Sequence, residues 1–128
     1  MSTKRRVLLC VNTLTGVGSQ PYASHLNFAF RARDSCDDFV LFNGYSNSID
    51  RFRNRAGQIA LEGEFDYLMF LDDDVCIAPT TYQMLKERME APAPDGYVVD
   101  VVTPVVYIRY YPYHPMFFIS KDVSGMTG

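Results

Sequence analysis

The sequence predicts an α/β fold: a mostly parallel sheet with helices on both faces. Three observations carry this. Short apolar runs without polar alternation, the pattern of strands buried on both sides, alternate with segments of helical period. Their order reads β-α-β-α-β-α-β, and regular alternation favours a parallel sheet joined by right-handed crossovers. The third apolar run, Tyr67-Leu68-Met69-Phe70-Leu71, ends in Asp72-Asp73-Asp74. That places clustered acids at the carboxyl edge, where open α/β sheets bind ligands.

The first strand is expected over Arg6 to Val11, and Asn12 to Ser19 forms a loop with two glycines. A helix follows from Gln20 to about Arg33, with Ser19 as N-cap and Pro21 in its first turn. Tyr22, Leu26, Ala29 and Phe30 are expected on its buried face, and His25 on its surface. The second strand lies within Asp38 to Tyr45. Ser46 to Ser48 offers N-cap residues for a second helix whose face is Ile49, Phe52, Ala56, Ile59 and Ala60, stopped by Gly63. The third strand runs from Asp66 to Leu71. Pro79 opens a third helix that buries Tyr82, Leu85 and Met89. A β-branched, apolar run from Tyr97 to Ile108 predicts a fourth strand.

From Arg109 onward the chain changes character. It is aromatic, interrupted by proline and without periodicity, which separates an α/β domain at 1–108 from an extended tail at 109–128. The tail's tyrosines and phenylalanines suit either packing over the domain or a homo-oligomer contact.

The bulk numbers bound the function. The 128 residues suffice for one domain with a real core. A net charge of -3 gives no reason to expect a nucleic-acid partner. No segment reaches the length of a membrane span, and the N-terminus lacks the apolar stretch of a signal peptide. Cys10, Cys36 and Cys76 are an odd number without a CxxC pair, which points to a reducing, cytoplasmic setting. Cys10 reads as a small core residue.

The chemistry concentrates on the acids. One carboxylate before Pro79 is accounted for by the positive end of the third helix, but three after a buried strand are not. On extended backbone Asp72 and Asp74 would face one side and Asp73 the other. Two such carboxylates suit Mg²⁺ or Mn²⁺, which keeps waters and takes phosphate oxygens as further ligands. On the second helix Arg51 and Arg55 read as a solvent face. Arg53 lies about 40° past Ile49 on the helical wheel, flanking the buried stripe. A diphosphate or one of the acids would partner it there.

The segment from Arg53 to Pro79 resembles the donor-binding core of GT-A glycosyltransferases of the family-2 kind. Arg53-Asn54, Asp66-Tyr67, Asp72-Asp73-Asp74 and the following Pro79 stand where that family carries its early Arg-Asn pair, its Asp-Tyr, its DxD motif and the proline of the next helix. The resemblance implies a Rossmann-like half that binds a nucleotide-diphosphate sugar, a UDP- or GDP-sugar, through Mn²⁺ or Mg²⁺. It assigns the metal to Asp72 and Asp74. Donor contacts fall on Val11, Asn12, Thr13, Asn43, Arg53, Asn54, Asp72 and Asp73. Asn43 stands where the family often has an acid, which leaves the base open. The family's acceptor site and catalytic base come from a later region with no counterpart here. The resemblance therefore implies a donor-binding half, a shortened chain, or a minimal member completed by oligomerisation.

Two other readings stay open. A receiver-like phosphoacceptor domain would use Asp72, Thr103 and Lys121, but it needs an acidic pair after the first strand, where this chain has Asn12 and Thr13. A non-catalytic module would use the aromatic tail as an interface.

Overall fold

Every polar group of a central strand needs a neighbour on each side, and β1 (Arg6–Asn12) has both. In the computed structural model, which describes residues 3–91, 95–96 and 98–104, β1 pairs in parallel with β2 (Asp38–Gly44) and with β3 (Tyr67–Phe70). The order is β2-β1-β3. Three α-helices join or follow these strands: α1 (Ser19–Ala32), α2 (Ile49–Glu62) and α3 (Thr81–Glu90). The chain divides into two units, Met1–Lys86 and Glu87–Gly128, with the boundary inside α3. The sheet belongs to the first.

Strand alternation splits the core of that unit into two layers. Val7, with Leu9, faces Phe28 and Ala32 of α1 and Tyr82 of α3. Leu8 and Cys10 face Phe52 and Ala56 of α2. Both faces of the sheet are thus covered, which is why β1 reads as an unbroken apolar run. Burying side chains such as Leu8, Phe28 and Phe52 contributes about 1.5–3 kcal/mol each. Burial pushes the Cys10 thiol up to about 11, in keeping with an inert core residue.

The parallel α/β architecture agrees with the sequence reading, and several particulars differ. On α1 the buried residues are Phe28 and Ala32, while Tyr22, Leu26 and Phe30 are exposed, Phe30 at 68%. Two apolar stripes share this helix, and period alone does not choose between them. The choice comes from the polar side chains beside Phe28. Ser24 Oγ donates to Ile77 O at 2.8 Å and accepts from Ile77 N at 2.6 Å. His25 Nε2 donates to Val75 O at 2.8 Å, so His25 is a docking residue and not a surface one.

α3 begins two residues after Pro79, because Thr81 N bonds Ala78 O in a preceding turn. Its buried residues are Tyr82 and Lys86, with Leu85 and Met89 only half-buried. The expected fourth strand is absent among the described residues of its range: 98–104 has no regular structure. Asp100 and Pro104 interrupt that run, and proline removes a ladder donor. Tyr97, 105–108 and the whole tail from Arg109 lie outside the described residues.

The buried lysine has a partner. The Asp37 side chain is 1% exposed and the Lys86 side chain 8%. Lys86 Nζ donates to both Asp37 oxygens, at 3.0 and 2.8 Å, and Tyr82 Oη donates to Oδ2 at 2.5 Å. Arg5 N donates to Oδ1 at 2.9 Å. This cluster ties α3 to the amino edge of the sheet. Burial pushes the Asp37 carboxyl up, but the hydrogen bonds from Lys86, Tyr82 and the Arg5 amide outweigh it and hold the group below 3.8.

Candidate functional site

The carboxyl edge is the opposite end of the same strands. Register pairs Asn12 with Gly44, and Cys10 with Phe70. Leu71 N then donates to Cys10 O at 3.0 Å. β3 ends at Phe70 and the acids follow Leu71 directly, so they leave the sheet beside the end of β1. The connections leaving β1 and β2 run to opposite faces, since α1 and α2 pack on opposite layers. Diverging connections of this kind open a ligand crevice in α/β sheets.

Loops on this edge are joined across β1 and β2. Asn12 Nδ2 donates to Ser46 O at 2.8 Å, and Asn12 Oδ1 accepts from Ser46 N at 3.0 Å. Thr13 Oγ1 donates to Asn43 Oδ1 at 3.0 Å, and Thr13 N donates to Gly44 O at 2.7 Å. Val11 is buried within β1. The amide of Asn12 is therefore committed to structure, while Thr13 and the exposed Asn43 stand at the crevice. Gly44 is required here by contact: a Cβ would fall 2.3 Å from Phe52 Cδ1 and 3.1 Å from Asn12 Oδ1.

The acids sit in a turn and not on extended backbone, with Val75 N bonding Asp72 O at 3.3 Å. Simple strand alternation therefore does not set their directions. Asp72 and Asp74 are nonetheless exposed while Asp73 is half-buried. Leu71 anchors the turn at its start, 7% exposed. Ser24 and His25 anchor it at its end, through residues 75 and 77. These two α1 residues are positioning residues that sequence reasoning missed. Their partners lie 53 and 50 positions away, so no local pattern marks them.

Among the described residues no group of three or more His, Cys, Asp or Glu side chains could hold a metal ion. Asp72 and Asp74 bring two exposed carboxylates to this turn, hard oxygen donors of the kind that Mg²⁺ or Mn²⁺ takes alongside waters and phosphate.

α2 distributes its arginines to two sides. Arg53 lies with its guanidinium 5.4 Å from the centre of the Phe70 ring, at the end of β3, and forms no carboxylate pair among the described residues. Arg51 and Arg55 lie on the other side and line an open pocket of about 420 Å³ with Asn43, Gly44 and Tyr45 at the end of β2. Asn54 is exposed, about 200° round the helix from the buried Phe52. The structure thus gathers Thr13, Asn43, Arg53, Asp72 and Asp74 at one end of the sheet. Compared with protein-family models, curated proteins and solved structures, the chain matches none.

Proposed function

We propose that this chain binds a nucleotide-diphosphate sugar at the carboxyl edge, as the donor-binding half of a GT-A-type glycosyltransferase. The observation that carries the reading is that three parallel strands end at one edge, where Asn12 pairs with Gly44 and the acid turn follows β3 beside them. A nucleotide has a base, a diphosphate and a sugar to place. Thr13 and Asn43 offer hydrogen bonds for the base. Asp72 and Asp74 hold Mn²⁺ or Mg²⁺, which when bound neutralises the diphosphate leaving group. Arg53, held beside Phe70, contributes a second positive charge to the phosphates. Ser24 and His25 keep the acid turn in place, so the carboxylates need little reorganisation on binding.

Strand order 2-1-3 also suits a receiver-like domain. Two features oppose that alternative. Asn12 and Thr13 replace the acids it needs. A right-handed crossover to a parallel strand beyond β3 would also place α3 on the α2 face. Tyr82 packs instead with Phe28 and Ala32 of α1.

The test is a calorimetric titration with UDP-glucose and GDP-mannose, with Mn²⁺ or with chelator. Binding should require the metal and weaken at least about tenfold, ~1.4 kcal/mol, in Asp74→Ala. Metal-independent binding that survives this substitution would refute the site.

A further inference from the structure

The Arg51 and Arg55 side of α2 lies away from the acid turn, and its pocket meets the proposed donor site only at Asn43 and Gly44. Both side chains are exposed and line the pocket at the end of β2. They stand four residues apart on one face, the spacing at which like charges repel along a helix. Arg51, Arg53 and Arg55 all fall in the first two turns of α2, where the helix dipole is positive and cations are disfavoured.

Among the described residues neither Arg51 nor Arg55 has a carboxylate partner, and Arg55 Nη1 donates only to the neutral Gln58 Oε1, at 3.2 Å. Asp50 is the one acid in the first turn, and it is occupied. It accepts from Ser48 Oγ and from the backbone amides of residues 50 and 51, which hold its carboxyl below 3.8. The pocket also has an aromatic side. Phe42 stacks on Phe52 at 5.3 Å, and Tyr45 stands at the pocket 84% exposed.

We propose that this pocket is a second anion site that takes a phosphate monoester without a metal. Arg51 and Arg55 bind the phosphate, and the organic part lies along Tyr45. Two guanidiniums suit a dianion with three acceptor oxygens, and each contact is a charge-assisted hydrogen bond. The apolar ring beside the charges gives an ester an advantage over free phosphate. This proposal does not depend on the metal site, because it concerns the opposite side of α2.

The experiment is an amide chemical-shift titration of the whole chain in chelator and constant sodium chloride. The probes are inorganic phosphate, glycerol 3-phosphate and UMP. The expected result is saturable shifts at residues 44–46 and 51–55, tightest for UMP and weakest for inorganic phosphate. Affinity should fall at least about tenfold in the Arg51→Gln/Arg55→Gln double variant, as expected for losing charged hydrogen bonds. Arg33→Gln should leave it within about twofold, since that exposed side chain caps the end of α1 and lines neither site. Absence of saturable shifts, or equal binding by the double variant, would overturn the site. Inorganic phosphate binding as tightly as both esters would overturn the ester assignment, and glycerol 3-phosphate matching UMP would overturn the role of Tyr45.

Discussion

Gly44 shows how one residue can set the site. It ends β2, opposes Asn12 in the register, and leaves the space that the Phe52 ring occupies. A methyl group at this position meets that ring far inside contact distance, and the ring is itself packed between Phe42 and Phe70. Gly44→Ala should therefore cost about 1–3 kcal/mol, the usual range for overpacking. It should also displace the Asn12 to Ser46 hydrogen bonds on the same edge. Urea unfolding checks the first expectation, and amide shifts at residues 12 and 46 check the second. A midpoint equal to the parent chain's would mean that Phe52 moves without cost. The sequence marks this glycine as a strand end only. Its constraint comes from an aromatic ring eight positions later, which no turn pattern reports.

Helix α3 illustrates what pattern reading can and cannot see at the level of elements. Its existence follows from Pro79 and the period of Tyr82, Leu85 and Met89. Its buried face differs because Lys86 reaches Asp37, and no rule of local sequence buries a lysine. α1 is similar: its length was legible, but it starts at Ser19 with Gly18 and not Ser19 as N-cap, and its buried side was decided by Ser24 and His25 meeting the turn after the acids. The Asp37 cluster has a testable pH dependence. A carboxyl held below its unfolded value adds stability that is present above about pH 4, and that stability is lost as pH falls through the folded value. Lys86→Met removes the partner charge and leaves Asp37 buried, which should cost about 3–5 kcal/mol at pH 7. The difference from the parent chain should narrow as pH falls below the unfolded value and through the parent's lower folded value, where Asp37 becomes protonated in both. Urea midpoints across that range measure it. A difference constant with pH would mean that Asp37 does not carry the effect.

At the level of the whole molecule, the parallel sheet and its two covered faces were legible because β1 is apolar on both sides. The acid run was legible as the end of an apolar strand, but β3 is not buried on both sides as its sequence suggested: Leu68 and Phe70 are exposed. The arginines of α2 were only half legible. Periodicity separated Arg53 from Arg51 and Arg55, but the pocket that the latter two line needs the end of β2, which the helical wheel does not contain. The central claim is that a divalent ion at the acid turn presents a diphosphate to the crevice beside β1. The most direct measurement is paramagnetic broadening by Mn²⁺ in the presence of UDP-glucose, read on the amide resonances of the isotopically labelled chain. The account predicts broadening centred on residues 71–76 and extending to residues 12–14, absent in Asp74→Ala. Broadening centred elsewhere, or unchanged in that variant, would contradict it.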